Sequence, residues 1–219
     1  MMRNPVLLEL FTSEGCSSCP PADEVLAELD DASGQTIALA FHVDYWNELG
    51  WVDPFSRPAF TDRQQAYARA FGARGMYTPQ LVVNGVREFV GSSRGEAKAA
   101  IGVASVVPTS THLRLAIDGT SPGKWLVAYD VTGAPAGATL YLATTRRRAT
   151  TEVPRGENKG RTLHHVHVVS DVITLVPGRG TTALARPEGD AEVVGWVQQT
   201  TRAEGGGLPV LASARVEGR

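Results

Sequence analysis

The stretch Val6-Leu7-Leu8-Glu9-Leu10-Phe11-Thr12-Ser13-Glu14-Gly15-Cys16-Ser17-Ser18-Cys19-Pro20-Pro21-Ala22-Asp23-Glu24-Val25-Leu26-Ala27-Glu28-Leu29 decides the fold. Its first six residues form a short, mostly apolar run, the pattern of a strand buried in a sheet. Val25, Leu26 and Leu29 fall on one helical face, and acids crowd the first turns, where the helix dipole favours them. Pro20 and Pro21 fit only a first turn, where a missing N–H costs nothing. The order is therefore strand, turn, Cys-x-x-Cys, helix. A thiolate at a helix N-terminus faces unpaired backbone N–H groups, which lower its pKa below the free value of about 8.5. Cys16 is the expected exposed attacker, and Cys19, one turn in, the buried resolving thiol. The same spacing also suits half of a zinc site or an inert pair. These are the only two cysteines, so a disulfide-stapled secreted fold is excluded and zinc would need histidines from elsewhere.

Ile37 to Val43 reads as a second strand. It leads into a stretch rich in aromatic and acidic residues: Asp44, Tyr45, Trp46, Trp51, Asp53 and Phe55. Carboxyl ends of parallel strands are where α/β folds place sites. His42 and Asp44 are thus candidates to sit near Cys16, with Trp46 and Trp51 as a substrate-binding lip. They read equally well as strand core and as a cap on the sheet. Asp62 to Gly72 is expected to be a helix with Thr61 as its cap, Phe60, Tyr67 and Phe71 packed, and Arg63 and Gln64 facing solvent or the rim of the site. Tyr77-Thr78-Pro79-Gln80-Leu81-Val82-Val83-Asn84-Gly85 and the run to Gly91 read as a hairpin turning at Asn84-Gly85, with Pro79 at a strand start. A closing helix follows over Ser93 to Ala104, capped by Ser92 or Ser93 with Glu96.

The grammar changes near Val107–Thr109. Residues 1–107 carry 8 basic and 13 acidic side chains, and residues 108–219 carry 13 and 10. Beyond Pro108 the candidate strands are short and separated by Pro/Gly clusters: His112–Ile117, Trp125–Val131, Thr139–Thr145, Leu163–Val169, Val172–Leu175, Thr182–Ala185, Val193–Gln199 and Pro209–Ala214. The reading is two domains, 1–107 and 108–219. His164-His165-x-His167 hints at a metal but fits a solvated strand face better. Arg146-Arg147-Arg148 is expected on a solvated loop.

With 42% hydrophobic and 20% charged residues, the 219-residue chain is globular. A net charge of −2 gives no nucleic-acid footprint, and no run approaches the ~18 apolar residues of a membrane span. No signal peptide is expected either: the first apolar run is short and carries Glu9.

The order strand, Cys-x-x-Cys, helix, strand, helix, Thr-Pro, hairpin, helix resembles the thioredoxin fold. That resemblance implies a cis Thr78–Pro79 bond beside Cys16 and Cys19, leaving nearby backbone groups free to pair with a substrate strand. The chain is more closely similar to an uncharacterised family, domain of unknown function 1223, a thioredoxin-like domain followed by an all-β sandwich. The matching stretches are Leu8–Asp23, His42-Val43-Asp44-Tyr45-Trp46, Trp51-x-Asp53-Pro54-Phe55, Tyr77–Gly85 and Arg155-Gly156-Glu157-Asn158. The chain departs from thioredoxins in three places. Leu10 stands where they bury an acid near the resolving thiol, Gly15 where they carry an aromatic residue, and no Lys follows Cys19. Glu9 is adjacent but points to the other side of its strand.

The resulting expectation is a thiol–disulfide oxidoreductase with Cys16 and Cys19 catalytic. Thr78, Pro79, Trp46 and Trp51 bind substrate, and Glu9, Glu14, His42 and Asp44 modulate the site. The redox-active disulfide is expected to act on protein or small-molecule thiols and to need no further cofactor, its partner being an unknown thiol or disulfide protein. The alternatives are a soft-metal (copper) protein using Cys16, Cys19 and His42, and a non-catalytic binding module on the same scaffold. The chain as written reads as cytoplasmic. Its resemblance to relatives that look exported makes a periplasmic location the alternative.

Overall fold

A computed structural model describes residues 4–30 and 34–218. Among the described residues, eleven strands form two sheets, with three α-helices. In chain order these are β1 (Val6–Thr12), α1 (Pro20–Leu29), β2 (Thr36–His42), α2 (Pro58–Phe71), β3 (Gln80–Val83), β4 (Arg87–Val90), α3 (Arg94–Ala104), β5 (His112–Ser121), β6 (Lys124–Thr132), β7 (Ala138–Glu152), β8 (Thr162–Leu175), β9 (Arg179–Ala185), β10 (Ala191–Gln199) and β11 (Val210–Glu217).

The larger sheet is mixed and has eight strands in the order β11-β10-β7-β8-β2-β1-β3-β4. β1 runs parallel to β2 over its whole length and antiparallel to β3. The change of grammar near residue 108 is not a break in this sheet: β8 pairs parallel to β2 at Ala40↔Val168. The remaining sheet, β5-β6-β9, packs on the far half of the large one through Leu113, Trp125, Val127, Leu140, Leu142 and Val193.

β1 and β2 are buried on both faces because helices cover both. Val6, Leu8 and Leu10 meet Val25, Leu26 and Leu29 of α1 and Ala97 of α3. The alternate residues Leu7 and Phe11 meet Phe60 and Tyr67 of α2, together with Val194 and Trp196 of β10. Leu10 packs close to Gly91 and Ala22, since a Cβ on Gly91 would come within 2.7 Å of the Leu10 side chain.

Several local expectations need correction. α2 begins at Pro58, which supplies the first-turn geometry that Thr61 was expected to start. The Thr61 hydroxyl instead donates to Asp44 Oδ1 at 2.5 Å, so Asp44 anchors α2 rather than the thiols. Gln64 is fully buried and donates to the Tyr77 carbonyl at 2.7 Å. Arg146–Arg148 lie inside β7, and the two strands expected over 163–175 are one, interrupted by a register shift between Thr144 and Thr145 of its partner.

Arg63 does not face solvent. Its Nε donates to Glu9 Oε2 at 2.6 Å, and its guanidinium lies 4.8–5.5 Å from the ring centres of Phe41, Tyr67, Tyr141 and Trp196. Tyr67 donates to the other Glu9 oxygen at 2.5 Å, and Gln198 donates to Tyr67 at 2.8 Å. Glu9 is thus a structural acid joining β1, α2 and β10, away from the cysteines. Arg63→Met is expected to strand its carboxylate and lower unfolding stability by about 3–5 kcal/mol, with Glu9→Gln in the same chain recovering part of the loss. Urea midpoints of the two variants and the parent check this.

Candidate functional site

Cys16 and Cys19 form a disulfide with Cα atoms 5.4 Å apart. Cys19 is the N-cap of α1, and Pro20 opens the helix without needing an N–H partner. The amides of Ala22 and Asp23 both donate to the Cys19 carbonyl. Ser18 Oγ lies 3.4 Å from Cys16 Sγ.

The exposed attacker anticipated at position 16 is not found: both cysteines are fully buried. The tip of the β7–β8 hairpin lies across the turn that holds them. Asn158, itself fully buried, donates from Nδ2 to the carbonyls of Glu14 and Cys16, both at 2.9 Å, and Glu157 Oε2 accepts from the Ser17 amide at 3.0 Å. Gly156 turns this tip at φ +76°, and a Cβ there would come within 3.1 Å of Trp51 Cβ. The second half of the chain therefore supplies side chains to the site, which the division at 108 did not anticipate.

The loop after β2 closes the other side. Trp46 Nε1 donates to Thr78 Oγ1 at 2.9 Å, and Trp51 Nε1 donates to Glu14 Oε2 at 2.7 Å. The Thr78–Pro79 peptide bond is cis. Pro79 lies beside the first turn of α1, since a Cβ on Gly91 would be 3.1 Å from Ala22 Cβ and 3.5 Å from Pro79 Cβ. A Cβ on Gly15 would be 3.0 Å from Trp46 Cβ, so the residue before Cys16 is confined by Trp46.

Behind the disulfide is a buried polar cluster. Asp53 is its hub, with Oδ2 accepting from the Glu14 amide at 2.8 Å and lying 2.7 Å from His42 Nδ1. Burial pushes the Asp53 carboxyl up, but the His42 ring and the amides of Glu14 and Phe55 outweigh it and hold the carboxyl below its usual value. His165 of β8 enters the same cluster. Its Nε2 is 3.3 Å from Glu14 Oε1 and its Nδ1 is 3.6 Å from Asp23 Oδ1, while its ring centre is 4.8 Å from that of His42. Burial opposes a charge on His165, yet Asp23 and Glu14 prevail and raise its pKa to about 9. His164 is exposed, but His165 and His167 are both buried, so the solvated strand face expected for this run is incorrect for those two. Among the described residues, no group of three or more His, Cys, Asp or Glu side chains is arranged to hold a metal ion.

Of the anticipated site residues, the structure brings together Cys16, Cys19, Glu14, Trp46, Trp51, Thr78, Pro79 and His42, and leaves Glu9 and Asp44 elsewhere. Asp23, Asp53, Glu157, Asn158 and His165 were not anticipated. Signals existed for all five: Asp23, Asp53, Glu157 and Asn158 lie in the family-matching stretches, and His165 belongs to the histidine run.

A model described as "Protein of unknown function (DUF1223)" matches residues 7–198. The chain belongs to the DUF1223 family. No curated protein matches this DUF1223 chain. It is similar to a crystal structure of a protein from Agrobacterium tumefaciens determined by a structural genomics consortium. The TM-score is 0.75 at 27% identity, covering 99% of this chain and 95% of that one.

Proposed function

We propose that the protein is a thiol–disulfide oxidoreductase whose working couple is Cys16 and Cys19. The observation that carries this reading is the Cys16–Cys19 disulfide at the N-terminus of α1, the positive end of the helix dipole, which favours a thiolate. The order β1 to α3, with β3 antiparallel beside β1 and Thr78–Pro79 at its mouth, supports a thioredoxin-like unit over 1–107. The β strands of 108–219 then act as a sandwich-like partner that shares its sheet. In the reduced protein the Cys16 thiolate attacks a partner disulfide and forms a mixed disulfide, releasing one partner thiolate. Cys19 then attacks Cys16 Sγ, closes the disulfide and releases the second partner thiolate. Trp46, Trp51, Thr78 and Pro79 are the proposed substrate-contacting residues.

The test is trapping. Cys19→Ser should accumulate mixed disulfides through Cys16 that a reductant releases, whereas Cys16→Ser should accumulate none. An equal absence of adducts from both variants, with the reduced wild type failing to cleave a model protein disulfide, overturns the proposal.

Because the couple is buried, exchange requires the β7–β8 tip to withdraw. Asn158→Ala removes its two hydrogen bonds, each worth about 0.5–1.5 kcal/mol. Reduction of the Cys16–Cys19 disulfide by dithiothreitol should then accelerate about tenfold, the equivalent of ~1.4 kcal/mol of easier opening. A stopped-flow comparison checks it, and an unchanged rate means the tip does not control access.

A further inference from the structure

The buried polar cluster has a feature that packing alone does not explain. Glu14 Oε1, His42 Nε2 and both ring nitrogens of His165 are buried without a hydrogen-bond partner. Buried polar atoms left unpaired are costly, and four in one cluster mark a place where proton positions are not locked by the fold. The cluster touches the disulfide loop at two points. Glu14 is two residues before Cys16. Asp23 is four after Cys19, in the same helical turn, with its amide donating to the Cys19 carbonyl. Residues so spaced share a helix face with Cβ atoms ~5–6 Å apart, and both are buried here.

Resting on the oxidoreductase reading, we propose that His165, acting through Asp23, is the proton reservoir for Cys19, a positioning residue contributed by the second half of the chain. When a partner thiolate attacks Cys16 Sγ, the Sγ–Sγ bond breaks and its electron pair leaves on Cys19 Sγ. A thiolate left there, away from water, needs a proton. The proton passes from the His165 imidazolium at Nδ1 onto the Asp23 carboxylate and from there to Cys19 Sγ, leaving Asp23 again a carboxylate and His165 a neutral imidazole that solvent later reprotonates. In the closing direction the proton runs back from the Cys19 thiol to the same pair. The 3.6 Å between Nδ1 and Asp23 Oδ1 closes to hydrogen-bond range with a shift of ~0.6 Å. The second Asp23 oxygen accepts from Thr12 Oγ1 at 3.2 Å, which steadies the carboxylate as its partner moves.

The ionisable surroundings of His165 suit this role. Glu14 faces it from the β1–α1 turn, Asp23 from α1 and His42 from β2. Asp53 stands behind His42, and Arg146 of β7 lies beyond the Phe55 ring that also packs on His165. Two carboxylates in direct reach keep the ring protonated to about pH 9, the range in which thiols exchange protons.

The first test uses the wild-type protein: the His165 ring is titrated by NMR in the disulfide form and in the dithiothreitol-reduced form. A difference of about half a pH unit or more between the forms is expected for coupled groups. The second is the rate of reduction by dithiothreitol, expressed per reductant thiolate. In the wild type it should fall as pH rises through about 9. In His165→Gln it should be on the order of 10–100-fold slower below that pH and flat across it. An identical ring pKa in both redox forms, or a His165→Gln profile that keeps the wild-type pH dependence, overturns the inference. Protein-disulfide exchange that persists alongside either result leaves the proposed function standing. Failure to trap any partner while dithiothreitol kinetics still depend on His165 overturns the proposed function alone.

Discussion

Residues 1–107, expressed without the remainder, should give no cooperative unfolding transition, while the full chain unfolds in one. β2 lies inside the large sheet with β8 beyond it, so cutting at 107 turns a buried strand into an edge. Both faces of that strand are apolar, and such an edge invites pairing with other chains. The cluster around Leu7, Phe11, Ile37 and Phe41 would lose Ala143, Val169, Val194 and Trp196, and burying each larger side chain of this kind is worth about 1.5–3 kcal/mol. Arg63 would lose two of its four aromatic neighbours, Tyr141 and Trp196, and the Cys16 carbonyl would lose Asn158. A chain of ~100 residues has little margin for such losses. Thermal melts of both lengths followed by circular dichroism decide this. A sharp melt of the fragment within ~5 °C of the full chain would sink it, because about 1 kcal/mol alone moves a domain of this size by 4–8 °C.

Stability should also fall steeply as pH rises through about 9, by about 3 kcal/mol for each of two histidines. His167 is held between two carboxylates, with Nδ1 2.6 Å from Glu192 Oε1 and Nε2 2.8 Å from Asp30 Oδ2. Both ring nitrogens must donate, which requires the imidazolium. Burial opposes the charge, but Asp30 and Glu192 outweigh it and raise the pKa to about 9, the same value that Asp23 and Glu14 impose on His165. The unfolded value is near 6.5, so the folded state binds the proton more tightly. The stabilisation is complete below pH 6.5 and is lost as pH rises through about 9. Chemical denaturation midpoints from pH 6 to 10 measure the slope. His167→Gln should remove about half of it, and an equal slope in the variant would show that the charge on His167 does not stabilise the fold.

The part of this protein that its sequence determined is local. The apolar alternation of β1, the prolines that can stand only in a first turn and the Asn84-Gly85 turn each depend on neighbours a few residues away. Strand, dithiol turn, helix and hairpin were therefore legible, and so was the place of each strand beyond residue 108, but not the run of β7 on to Glu152 or the continuity of β8. The tertiary structure alone decided which faces those elements share. Pairing of β8 with β2 joins Ala40 to Val168 and makes one sheet of what the composition divides. The same pairing carries His165 behind the disulfide and seats Asn158 on the carbonyl of Cys16, 142 residues away in the chain. A strand histidine or an exposed-looking arginine carries no periodicity that announces a distant carboxylate. Glu9 and Arg63, 54 residues apart, are each unfavourable to bury alone and become compatible with the core only once folding places them 2.6 Å from one another.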